Sequence, residues 1–200
     1  MDAVRVALLR EVLAGTEWLG ATRRFAGVLR GSVVAHGGGL LLVGTPEYEP
    51  WHLAAHLVDE AAWSGTPELA PTLVRHDARP CDPPHLAVGP GRIAAARRGE
   101  TLLVVAPEEP APLLERVHSA RRAGVTVLAL GVGGGELAAM AHESLAAPEG
   151  SELDLDTMQH LVSAGAGENG GAVSPRGRRG FRDRVSRLAE ILTAPPPAPW

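Results

Sequence analysis

Three short stretches limit what this chain can fold into: Leu40-Leu41-Leu42-Val43, Thr101-Leu102-Leu103-Val104-Val105-Ala106 and Val125-Thr126-Val127-Leu128-Ala129-Leu130. None alternates apolar with polar residues, as a strand with one wet face must. A strand of this kind is covered on both faces, which is the condition of a parallel sheet between two layers of helices. Helical periodicity fills the intervals: Val4, Leu8, Leu9, Val12 and Leu13, then Phe25, Val28 and Leu29, then residues 50–63 with proline at the first turn. Further helices are predicted over 92–98, 113–123 (closed by Gly124), 136–145 and 153–164, and further short strands at 71–76 and 145–147. Gly15, Gly20 and Gly27 are expected to break or crowd the first helices. The fold class is therefore α/β, strand alternating with helix around a parallel sheet.

Only 4% of residues are aromatic against 45% hydrophobic overall, so the core is built mainly from Ala, Val and Leu. All nineteen cations are arginine. The lack of lysine removes Schiff-base and pyridoxal chemistry and the Walker A phosphate site. A net charge of -4 argues against a chain that is basic throughout. The one cysteine, Cys81, sits among prolines and predicts a reducing, cytoplasmic setting. No apolar run has the length of a membrane span, and the charged N-terminal residues lack a signal-peptide core.

After residue 165 the composition changes. Residues 166–180 are rich in Gly, Ser and Arg and read as a flexible linker. Residues 181–200 read as a final helix, with Phe181, Val185, Leu188 and Leu192 on one face, and a Pro-rich tail. Six of the nineteen arginines lie between 176 and 187, a basic arm suited to an acidic partner. Phe181 is the one stacking aromatic near them, which does not point to nucleic acid.

The order of segments from G-E-T-L-L-V-V through A-P-E-E-P-A, S-A-R-R-A-G, V-T-V-L-A-L and G-V-G-G-G to E-L-A-A-M-A-H-E-S-L-A-A-P resembles the sugar isomerase (SIS) domain of the phosphoheptose isomerases. Upstream, G-G-G-L-L-L-V-G and W-H-L-A-A-H-L-V-D-E resemble that family's first strand and following helix. Downstream, D-T-M-Q-H-L resembles the start of its last helix. The resemblance covers residues 1–165. It implies a flavodoxin-like three-layer sandwich with five parallel strands, a sugar-phosphate ligand, isomerase activity, and assembly into homodimers or homotetramers.

In such a sheet the ligand lies beyond the carboxyl ends of the strands where strand order reverses. That points to Gly44, Thr45, Glu47 and Tyr48 in one loop and Glu108 and Glu109 in another. The family's loops there are G-N-G-G-S-A and a Ser/Thr-rich phosphate cradle; this chain has G-T-P-E-Y-E and Ala106-Pro107-Glu108-Glu109-Pro110. Two prolines remove N–H donors. A carboxylate at 4–6 Å repels each phosphate charge by roughly 3–4 kcal/mol at an effective dielectric near 20. Glu47, Glu49, Glu108 and Glu109 together read either as an acidic pocket for a cation or amine or as solvated loop carboxylates.

The family's H-x-x-x-E stands here as His52-Leu53-Ala54-Ala55-His56, and Gln159 matches its last-helix glutamine. The further histidine of the pattern falls near Gly167 and is missing. His52 and His56 share one helix face, so with Gln159 or His160 they can hold zinc; the alternative is two histidines on an interface helix. The Gly131-Val132-Gly133-Gly134-Gly135-Glu136 stretch reads as a tight strand-to-helix turn rather than a dinucleotide loop, since the third glycine of that motif is replaced by Glu136.

These departures predict a catalytically degenerate phosphoheptose-isomerase-like protein that binds a small ligand, a phosphosugar derivative being the candidate, in a regulatory or structural role. Two alternatives stand beside it. One is an active isomerase with a rebuilt site of His52, His56 and Gln159 and a metal. The other is an oligomeric scaffold that recruits a partner through the Arg-rich tail.

Overall fold

A computed structural model describes residues 17–131, 135–147 and 153–167. Its elements in chain order are α1 (Glu17–His36), β1 (Leu40–Val43), α2 (Trp51–Ser64), a 3₁₀ turn (Pro67–Leu69), β2 (Pro71–Val74) and α3 (Gly91–Ala94). Then come β3 (Thr101–Val105), α4 (Ala111–Arg122), β4 (Thr126–Leu130), α5 (Glu136–Met140), β5 (Glu143–Leu145) and α6 (Leu155–Gly167). The five strands form one sheet in the order β2-β1-β3-β4-β5, and every pairing is parallel. This is the flavodoxin-like order, with its switch point between β1 and β3.

The apolar runs divide between two cores because successive strand side chains face opposite ways. Leu40, Leu42, Leu103, Val105, Leu128 and Leu130 pack with Phe25 and Leu29 of α1, Leu53 and Leu57 of α2, and Met158, Leu161 and Val162 of α6. Leu41, Val43, Leu102, Val104, Val127 and Ala129 pack with Ile93 of α3, Leu113 and Val117 of α4, and Leu137 and Met140 of α5. The three-layer α/β sandwich implied by the resemblance is what forms.

Several boundaries differ from expectation. Helix α1 continues unbroken through Gly20 and Gly27. Trp18, Phe25, Leu29 and Val33 bury one stripe of it, and that burial exceeds the ~1 kcal/mol penalty of each helical glycine. The expected 136–145 helix stops at Met140, and the last strand is Glu143–Leu145 rather than 145–147. His142 captures the chain: its backbone N–H donates to Val127 O at 2.8 Å, and its Nδ1 accepts from Val127 N at 3.0 Å. The expected helix over 92–98 is one turn, Gly91–Ala94. Glu100 ends it by accepting from Arg97 N while pairing with Arg92. Helix α6 extends to Gly167, two residues into the stretch read as linker. The helix expected over 4–13, the rest of the linker and the final helix over 181–192 lie outside the described residues. Among the described residues no helix is long and apolar enough to cross a membrane.

Candidate functional site

The site is built where β1 ends, at the edge of the switch point. Gly44 is buried, and a Cβ there would fall inside the carbonyl oxygen of Tyr48 and 2.7 Å from Pro50 Cδ. Only glycine allows the chain to turn back this closely. The turn is closed by Thr45 N–H donating to Tyr48 O at 2.9 Å, and by Tyr48 N–H donating to Thr45 O and Oγ1 at 3.2 and 3.1 Å. His76 Nε2 lies 3.0 Å from Gly44 O and ties the turn to the end of β2. Glu47 is exposed.

The turn aims Tyr48 across the sheet edge at α6. Its hydroxyl accepts from Gln159 Nε2 at 2.6 Å and donates to Asp156 Oδ1 at 3.3 Å. Gln159 Nε2 also donates to Leu155 O at 3.1 Å, which fixes the amide orientation, because a carbonyl can only accept. Gln159 Oε1 is buried without a partner. Burial raises the Tyr48 phenol above its usual range; Asp156 and Asp154 add to this, and donation from Gln159 opposes it. The hydroxyl therefore keeps its proton at neutral pH.

Three histidines meet one turn away. His52 and His56 come from the first two turns of α2, and His160 from α6, which packs against it. Ring centroids are 4.9 Å apart for His52 and His56, 4.7 Å for His52 and His160, and 4.1 Å for His56 and His160. One ring nitrogen from each lies within 4.8 Å of the others, and His56 Nε2 is buried with no partner. Burial, then the charges of His56 and His52, push the His160 pKa down from 6.5 to about 4, against the pull of Asp156 and Asp154. Burial and His52 lower His56 as well, against Asp59. Neutral imidazoles offer lone pairs, so the cluster has the donor set of a zinc site. Of the residues named from sequence, the structure groups His52, His56 and His160. It commits the amide nitrogen of Gln159 to Tyr48.

This depression has a sign. The unfolded chain takes a proton on residue 160 below pH 6.5, which the folded chain refuses until about pH 4. Stability is thus complete above 6.5 and is lost as pH falls through 4. In chelator-containing buffer, urea midpoints measured from pH 7 to pH 4 are expected to fall, and a His160→Gln variant to fall less. Equal slopes for the two chains contradict the assignment.

The four carboxylates are placed differently from an acidic pocket. Glu49 accepts from His76 N at 3.0 Å and pairs with Arg75 at 3.2 Å, toward β2. Glu109 accepts from Glu136 N and Leu137 N at 2.8 and 3.2 Å, capping α5 beyond β4. In the sheet order these lie on opposite sides of the β1/β3 pair. Glu108 is exposed. Arg75 went unnoticed in the sequence: it also pairs with Asp82 at 2.9 Å and lies 4.9 Å over the Trp51 ring. No sequence motif singles out Asp156; its i, i+3 and i, i+4 spacing to Gln159 and His160 is the available signal. Of the glycine loop, residues 132–134 lie outside the described residues, and Gly135 sits against the Glu109 carboxylate.

No protein-family model matches the chain, and no curated protein matches it. Solved structures do. A Silicibacter pomeroyi protein described as a phosphosugar isomerase superposes with a TM-score of 0.54 at 17% identity, over 95% of this chain and 52% of that one. The chain has the sugar isomerase fold. A Salmonella typhimurium protein described as sugar-binding superposes on this SIS fold with a TM-score of 0.58 at 12% identity, over 94% of this chain and 53% of that one. The SIS-fold chain thus spans about half the length of these two proteins.

Proposed function

We propose that this chain binds a small sugar derivative beyond the ends of β1 and β3, and that it has lost the isomerase activity its resemblance implies. The fold likeness supports the ligand class. The Glu109 carboxylate carries the rest of the reading. It takes the two backbone N–H groups of Glu136 and Leu137, beside a loop whose own donors are reduced by Pro107 and Pro110. A dianionic phosphate there meets a fixed anion and few donors. Neutral and amino sugars, which hydroxyl and carboxylate groups bind well, are the ligands this edge favours.

A thermal-shift panel of neutral sugars, amino sugars and sugar phosphates tests the reading, beside a turnover assay on sedoheptulose 7-phosphate. Neutral or amino sugars are expected to stabilise the chain more than their phosphates do, with no turnover. Turnover, or a preference for phosphates, overturns it.

A second reading rests on the histidine cluster. His52, His56 and His160 would hold a divalent ion such as zinc, and the orphaned His56 Nε2 is the observation that fits one. Three protein ligands leave an open position, at which zinc supplies Lewis-acid polarisation of a ligand oxygen. The protein's own part is to hold three imidazoles together, with the Tyr48 hydroxyl and Asp156 fixing α6 alongside.

A further inference from the structure

Helix α2 turns an apolar face to solvent. Trp63 is 72% exposed, Val58 50% and Trp51 42%, and Ala55 and Ala62 are exposed between them. Trp51, Ala55, Val58 and Ala62 form one stripe with steps of four, three and four residues. Its inner face is already buried through Leu53 and Leu57, so the outer stripe is not a requirement of the sandwich. Continuous apolar faces of this kind mark a contact surface.

We propose that this face is the docking surface of the chain's own segment 181–192. Three observations support it. Phe181, Val185, Leu188 and Leu192 repeat the same steps of four, three and four. Run antiparallel, they set Phe181 on Ala62, Val185 on Val58, Leu188 on Ala55 and Leu192 on Trp51, large against small at two of four rungs. This is the seam of a two-helix packing at 3-4 spacing. Second, the described chain leaves the body at the right place. Gly167 ends α6 against the Glu60 side chain, in the third turn of α2, leaving no room for a Cβ. A Gly/Ser-rich stretch as long as residues 168–180 spans roughly 20 Å, about the length of α2 itself. Third, exposed Asp59 follows Val58 and Arg182 follows Phe181; residues that follow their rungs share one side of an antiparallel seam, so opposite charges come together there.

The test uses the full chain with Cys81→Ser, since Cys81 is exposed and free. A Val58→Cys, Val185→Cys pair is oxidised and compared with a Ser119→Cys, Val185→Cys pair, Ser119 being exposed on α4 in the opposite layer. The first pair is expected to close within one chain at least ten times faster. Equal rates overturn the proposal, and a disulfide between two chains assigns the face to a second copy instead. Deuterium exchange gives a second reading. Ending the chain after Ser174 is expected to speed exchange in residues 51–64 several-fold with β3 unchanged; unaltered exchange in α2 contradicts docking.

Discussion

Adding zinc to the metal-free chain at neutral pH is expected to raise its melting temperature, and a His56→Ala, His160→Ala variant to lose the rise. An ion that binds only the folded chain stabilises it by about 2.7 kcal/mol at one hundred times its Kd. For a domain of this size that corresponds to roughly 5–10 °C. Removing two of three imidazoles costs more than the 10–100-fold that loss of an outer-shell partner typically brings. Differential scanning calorimetry with and without chelator measures the shift, and equilibrium dialysis measures stoichiometry. One ion per chain is expected. A rise that survives the double substitution places the ion elsewhere. Gln159→Leu is the useful companion: an unchanged rise assigns the ion to the imidazoles alone, and a smaller one brings in Gln159 Oε1, which is buried without a partner.

The second large effect is steric. Gly44→Ala is expected to destabilise the chain by about 2–4 kcal/mol, the range of severe local disruption. The added methyl meets the Tyr48 carbonyl, which accepts the Thr45 N–H, and lies 2.7 Å from the Pro50 ring at the entry to α2. The turn must open, and the Tyr48 hydroxyl then leaves Gln159. Gly27→Ala is the control. A Cβ there meets nothing within 4 Å on an exposed helical position, so it is expected to stabilise by roughly 0.5–1 kcal/mol. Urea denaturation of both variants decides the matter. A neutral Gly44→Ala contradicts the tight-turn account.

The central strands were legible because burial on both faces erases alternation, and Leu40–Val43 and Thr101–Val105 show this directly. β5 was placed two residues late because Glu-Ser-Leu carries too few apolar residues to signal a strand. Its position depends on the backbone pairing of His142 with Val127, which no periodicity records. The glycines of α1 misled for the opposite reason: propensity is local, while the Phe25 and Leu29 contacts that outweigh it are not. At the site, the four-residue step from His52 to His56 was readable. Whether α6 turns Gln159 or His160 toward them depends on how it packs on α2, which sequence does not encode locally. The choice between an acidic pocket and solvated loop carboxylates was not legible, because the partners of Glu49 and Glu109, Arg75 at the end of β2 and the backbone N–H groups of α5, lie far along the chain.

Gln159 and His160 are neighbours on one helix, yet they serve different company: one holds the tyrosine of the β1 turn, the other joins two imidazoles of α2. Consecutive residues on a helix point about 100° apart and cannot move separately. A molecule at the strand ends that displaced Tyr48 would release the Gln159 amide, one residue from the His160 ring on the same helix.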